Sequence, residues 1–96
     1  MTTYNKIIIT VSGTDKVGIV AKVATMLAEC KVNIEDIKQT LMQGHFVMFM
    51  LCDIEKADKP FKYIKETLKE ECKKLEMEVW VQRKEIFDAM HTVGWN

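Results

Sequence analysis

Two short stretches of this chain hold the residue types that could bind a ligand. Thr14-Asp15-Lys16-Val17-Gly18-Ile19 lies between an apolar, strand-like run and a helix-like one, and Val32-Asn33-Ile34 follows the far end of that helix. A glycine at a strand-to-helix turn has no Cβ and accepts positive φ, so main chain there can come close to a bound molecule. The first amides of a helix have no partner within it and point at whatever anion stands in front of them. That chemistry suits a small carboxylate. Each stretch also has a purely structural reading: a tight turn needs Gly18 in any case, and Asn33 can close an Asx turn that opens a strand.

Other chemistries fail on residue type or spacing. Phosphate-ester chemistry would need an arginine clamp in the first loop, and the stretch from Gly13 to Gly18 offers only Lys16. A metallochaperone would need paired thiolates there. The three cysteines, Cys30, Cys52 and Cys72, stand about twenty residues apart with no C-x-x-C pair, which fits neither a disulfide framework nor a zinc knuckle. His45 and His91 have no i, i+4 partner, so no metal site is expected. No Ser-His-Asp, Cys-His or paired-carboxylate grouping is recognisable, and a non-catalytic protein is the expectation. Gly44-His45-Phe46-Val47-Met48-Phe49 has the glycine and aromatics of an RNA-stacking strand. However, Gln43 replaces the usual basic residue, and Phe46 and Phe49 have opposite parity, so both cannot lie on one face.

Composition narrows the partners further. The 96 residues carry 14 basic and 14 acidic side chains, without the basic excess that nucleic-acid or anionic-membrane binding favours. Residues 1–6 lack the form of a signal peptide, and the apolar run from Ile7 to Val11 is far too short to cross a bilayer. A cytoplasmic, soluble, single-domain protein is expected.

The elements that must position the two stretches follow from periodicity. Lys6 to Ser12 reads as a mostly buried strand that Gly13 ends. From about Val17 to Cys30, Ile19, Val20, Val23, Leu27 and Cys30 recur at helical spacing, with Asp15 or Thr14 as cap. Val32 to Met42 and His45 to Cys52 form a hairpin across Gln43-Gly44. Asp58 to Leu75 is a second amphipathic helix with Pro60 in its first turn and a charge-paired Lys/Glu face. Glu76 to Gln82 alternates as a fourth strand, and residues 84–92 add a short C-terminal helix through Ile86, Phe87 and Met90. This order predicts an α+β, ferredoxin-like βαββαβ sandwich, a four-stranded antiparallel sheet with both helices on one face. If Ile7, Ile9, Val11, Val47, Phe49 and Leu51 turn toward the helices, then Ile8, Phe46, Met48, Met50 and Trp80 turn away. Either the tail helix, with Ile86, Phe87, Met90 and Trp95, or a second subunit must cover that patch, and both are expected to contribute. The seven methionines read as core filling.

Asp15, Gly18, Ile19 and Val20 in the turn, with Asn33 and Ile34 after the helix, resemble the ACT domain. Its pattern places D-x-x-G-[IL]-[VL] at the start of the first helix and an N-I pair at the start of the second strand. The likeness covers nearly the whole chain. The tail, Gln82 to His91, further resembles a stand-alone branch of that family related to the N-terminal part of the glycine-cleavage repressor. The resemblance implies one ACT domain over residues 1–96, acting as a sensor without cofactor or metal, a homodimer that binds an amino acid or similar small carboxylate between subunits. Amides around Gly18 would hold the carboxylate, flanked by Asp15, Lys16, Val17 and Ile19, and Asn33, beside Ile34, would reach the ligand's polar groups. Many relatives carry Arg-Pro or a similar pair before the glycine. Here Lys16-Val17 makes a less rigid turn. A different class of function also fits: an interaction module that regulates an enzyme through its strand edge or sheet face, without a ligand of its own.

Overall fold

Among the residues described by the computed structural model, 5–14 and 17–92, with Met42, Met90, His91 and Thr92 as backbone only, strands and helices follow in the order that the periodicity predicts. They are β1 (Lys6–Thr14), α1 (Ile19–Glu29), β2 (Asn33–Met42), β3 (His45–Asp53), α2 (Phe61–Lys74), β4 (Glu78–Arg83) and α3 (Lys84–Thr92). The sheet has the order β2-β3-β1-β4, every neighbouring pair antiparallel. This is the ferredoxin-like sandwich. Its core lies between the sheet and α1 and α2: Ile19, Val23 and Leu27 from one helix and Ile64, Leu68 and Cys72 from the other are buried against Ile7, Ile9 and Val11.

Local chemistry sets the boundaries and corrects several of them. β1 does not stop at Gly13 but continues to Thr14, pairing Gly13 with Phe46 and Thr14 with His45. A Cβ at Gly13 would lie 2.6 Å from Met77 Sδ, so the glycine leaves room for the side chain that leads into β4. The N-cap position of α1 is Gly18 and Thr14 belongs to β1, whereas Asp15 lies outside the described residues. Pro60 caps α2 from just outside it, in extended backbone, instead of sitting in the first turn.

Both long helices end alike. The Val32 and Lys31 amides donate to Leu27 and Ala28 carbonyls (2.9 and 3.0 Å), and those of Met77 and Glu76 to Cys72 and Lys73 (2.8 and 3.0 Å). Lys31 and Glu76, each at φ 60°, take the left-handed position of a Schellman stop, which is why β2 begins at Asn33 and β4 only at Glu78. Gln43 and Gly44, at φ 52° and 82°, make the two-residue hairpin turn in which both central residues need positive φ.

The faces of β3 are the reverse of those expected from its sequence. Ile7, Ile9 and Val11 do face the helices, but their partners across the ladder are Cys52, Met50 and Met48, which are buried with Phe46. Val47, Phe49 and Leu51 therefore turn to the opposite face, with Ile8 and Trp80. Residues directly opposite each other in an antiparallel pair share a face, so register decides the matter. Phe46 and Phe49 lie on different faces, as their parity requires. α3 follows β4 without a connecting residue and packs on that outer face, where Phe87 shares a shallow cleft with Ile8, Phe49 and Leu51. Ile8 is only 9% exposed, whereas Phe49 and Trp80 remain 40% and 49% exposed. Trp95 lies outside the described residues.

Candidate functional site

Gly18 stands at φ 86°, ψ 2°, a conformation that ordinary side chains resist, and its carbonyl accepts the first helical bond of α1 from the Lys22 amide at 2.8 Å. The amides of Ile19, Val20 and Ala21 precede that bond. No side chain of the cap residue satisfies them. Among the described residues, a Cβ at Gly18 would meet nothing within 4 Å, so these leave the space in front of the turn open. It forms the mouth of a groove of about 590 Å³ between α1 and α2, lined also by Ala21, Lys22, Thr25, Thr67 and Glu71.

The other sequence-derived residues contribute unequally. Val17 is fully exposed beside the turn. Ile19 is buried in the core, so only its amide is available to a ligand. Asp15 and Lys16 lie outside the described residues. Asn33 opens β2 opposite Asp53, and Ile34, opposite Cys52, packs half-buried against the core. Asn33 lines a different cavity, of about 730 Å³, with Lys31, Asp53, Glu55 and Lys56. The two stretches sit at opposite ends of α1, whose 11 residues span about 16 Å. One chain therefore does not bring Gly18 and Asn33 together.

Lys22 and Glu71 escaped the motif reading. Lys22 is four residues after Gly18, the spacing that sets it on the same helix face, so its position was recoverable. Glu71, from α2, was not. Its carboxylate meets Lys74 Nζ at 3.0 Å and Lys22 Nζ at 3.6 Å, and these cations, Lys74 foremost, hold its pKa below the usual carboxylate range. At the Asn33 end, Lys6 Nζ lies 2.5 Å from Glu35 and 3.1 Å from Asp53. Those bonds raise the lysine pKa, while the Glu55 amide and then Lys6 lower that of Asp53.

The arrangement at Gly18 can receive an anion on main-chain donors with a lysine beside them. Nucleophilic chemistry finds little to work with. Burial pushes the Cys52 thiol up to about 12 and raises those of Cys30 and Cys72, so all three stay protonated near neutrality. Among the described residues, no group of three or more His, Cys, Asp or Glu is placed to hold a metal ion, and no helix is long and apolar enough to cross a membrane.

A family model for the ACT domain matches residues 5–82. A UPF0237 protein of Listeria innocua is 46% identical over 84 residues, 88% of this chain and 94% of that one. Among solved structures, an ACT domain protein from Streptococcus pneumoniae superposes with a TM-score of 0.74 at 35% identity, covering 86% of this chain and 93% of that one. A putative glycine cleavage system transcriptional repressor shares the fold at a TM-score of 0.70 and 22% identity, over 81% of this chain and 44% of its own length.

Proposed function

We infer that this chain, which belongs to the ACT domain family, is a regulatory module that binds an amino acid or similar small carboxylate between two copies of itself and performs no chemistry. The observation that carries this reading is the turn at Gly18: a left-handed glycine, first-turn amides with no side-chain cap among the described residues, and an open groove holding Lys22. An anion there gains both the first-turn N–H groups, which no helical carbonyl precedes, and the positive end of the helix dipole.

The distance between Gly18 and Asn33 supports a site built from two chains. β2 is an edge strand, and on its helix-facing side Leu41 is 60% exposed, beyond the cover of α1 and α2. Two copies meeting antiparallel at that edge run in opposite directions, which turns the Asn33 end of one toward the Gly18 end of the other. The ligand then joins the copies, and its arrival changes the surface they present to a regulated protein.

A thermal-shift screen of the twenty amino acids tests the reading. A molecule that binds only the folded state raises its melting temperature, by an amount that grows with concentration. At least one amino acid is expected to do so at millimolar concentration. If none does, the sensor reading is wrong and the ligand-free interaction module takes its place.

A further inference from the structure

We propose that Lys6 is the positioning residue that holds Asn33 where a ligand shared between two chains can use it, acting through a bulge in β2. The role assigned to Asn33 rests on the ligand-binding reading; the clamp itself does not.

Ile34 pairs with Cys52 and Asp36 with Leu51, so Glu35 is an extra residue on β2 with no partner of its own on β3. The insertion has a use. Ile34 and Ile37 are three residues apart, an odd spacing that would put them on opposite faces of a regular strand, yet both are registered opposite core-facing residues, Cys52 and Met50. A bulge leaves its extra residue outside the ladder, so something else must fix it. Here that is Lys6, which lies two strands away on β1, since β3 runs between β1 and β2.

Lys6 pairs with Asp53 across the β1–β3 ladder, and Asp53 pairs with Asn33 across β3–β2. Its ammonium reaches over Asp53, at 3.1 Å, to Glu35 at 2.5 Å, and its side chain is 15% exposed. The second Asp53 oxygen accepts the Glu55 amide at 2.8 Å. One cation thus ties together three strands and the loop after β3, around the residue that stands opposite Asn33. Without the ammonium, two carboxylates face each other at the bulge and repel, and the entry of β2 loosens from β3 while the centre of the sheet stays paired.

Amide hydrogen exchange of Lys6→Met and Lys6→Arg variants, followed by NMR, tests the clamp. In Lys6→Met, exchange at residues 33–36 should quicken by roughly tenfold or more, with residues 7–11 and 79–82 unchanged. Lys6→Arg, which keeps the charge and the reach, should restore protection. Unchanged exchange at 33–36, or an equal rise across the whole sheet, overturns the proposal, as does failure of arginine to restore what methionine loses. None of these readouts needs a ligand, so a blank amino-acid screen leaves the clamp standing and a failed clamp leaves the screen unaffected.

Discussion

Gly13 and Gly18 are five residues apart and are glycines for opposite reasons. At Gly18 the backbone is left-handed and no described residue comes within 4 Å of an added Cβ, so Gly18→Ala meets conformational strain, on the order of 1–2 kcal/mol. At Gly13 the obstacle is Met77 Sδ, 2.6 Å from where a Cβ would sit, so Gly13→Ala overpacks the joint between β1 and β4 and costs about 1–3 kcal/mol. Urea unfolding separates the two. Adding Met77→Ala should recover part of the Gly13→Ala loss and none of the Gly18→Ala loss, because only the first pair is in contact. The sequence pointed to Gly18 because strand-to-helix turns call for glycine. It could not reveal what Gly13 accommodates, since Met77 comes from 64 residues further along the chain.

At the scale of elements, the amphipathic helices and the Gln43-Gly44 hairpin were legible because each carries its own local period or turn chemistry. β3 was harder. Phe46, Met48 and Met50 alternate with Val47, Phe49 and Leu51, so both faces of this interior strand are apolar and no period chooses between them. The deciding signal sits in the neighbouring strand. A two-residue turn fixes Met42 opposite His45, which sets Lys38 opposite Phe49 and Asp36 opposite Leu51, and the polar partners mark the outward face. The late start of β2 has a comparable cause: Lys31 spends its conformation on ending α1. With φ at 60° and its amide bonded to the Ala28 carbonyl, it occupies a position where glycine is favoured. Lys31→Gly should therefore stabilise the fold by about 0.5–1 kcal/mol, read as a higher urea midpoint at unchanged slope.

For the whole molecule, the decisive geometry is the length of α1 between the two halves of the candidate site. A site completed by one chain and a site shared by two respond differently when variants are mixed. Gly18→Ala damages the turn and Asn33→Ala removes the amide, so each variant alone should lose the amino-acid thermal shift. In the proposed homodimer with two-fold symmetry, every site would take its turn from one copy and its asparagine from the other. Co-refolding equal amounts then gives mixed dimers in which one site inherits both lesions and the other inherits neither, so roughly a quarter of all sites should be intact. Titration calorimetry on the refolded mixture would read that fraction as recovered stoichiometry at parental affinity. Each variant must also bury its core normally, which circular dichroism checks before mixing. Recovery requires Gly18 and Asn33 to act on one ligand from different chains. If the mixture binds no better than its components, the two residues do not share a site, and the ligand belongs wholly to the groove between α1 and α2 or to the Asn33 cavity.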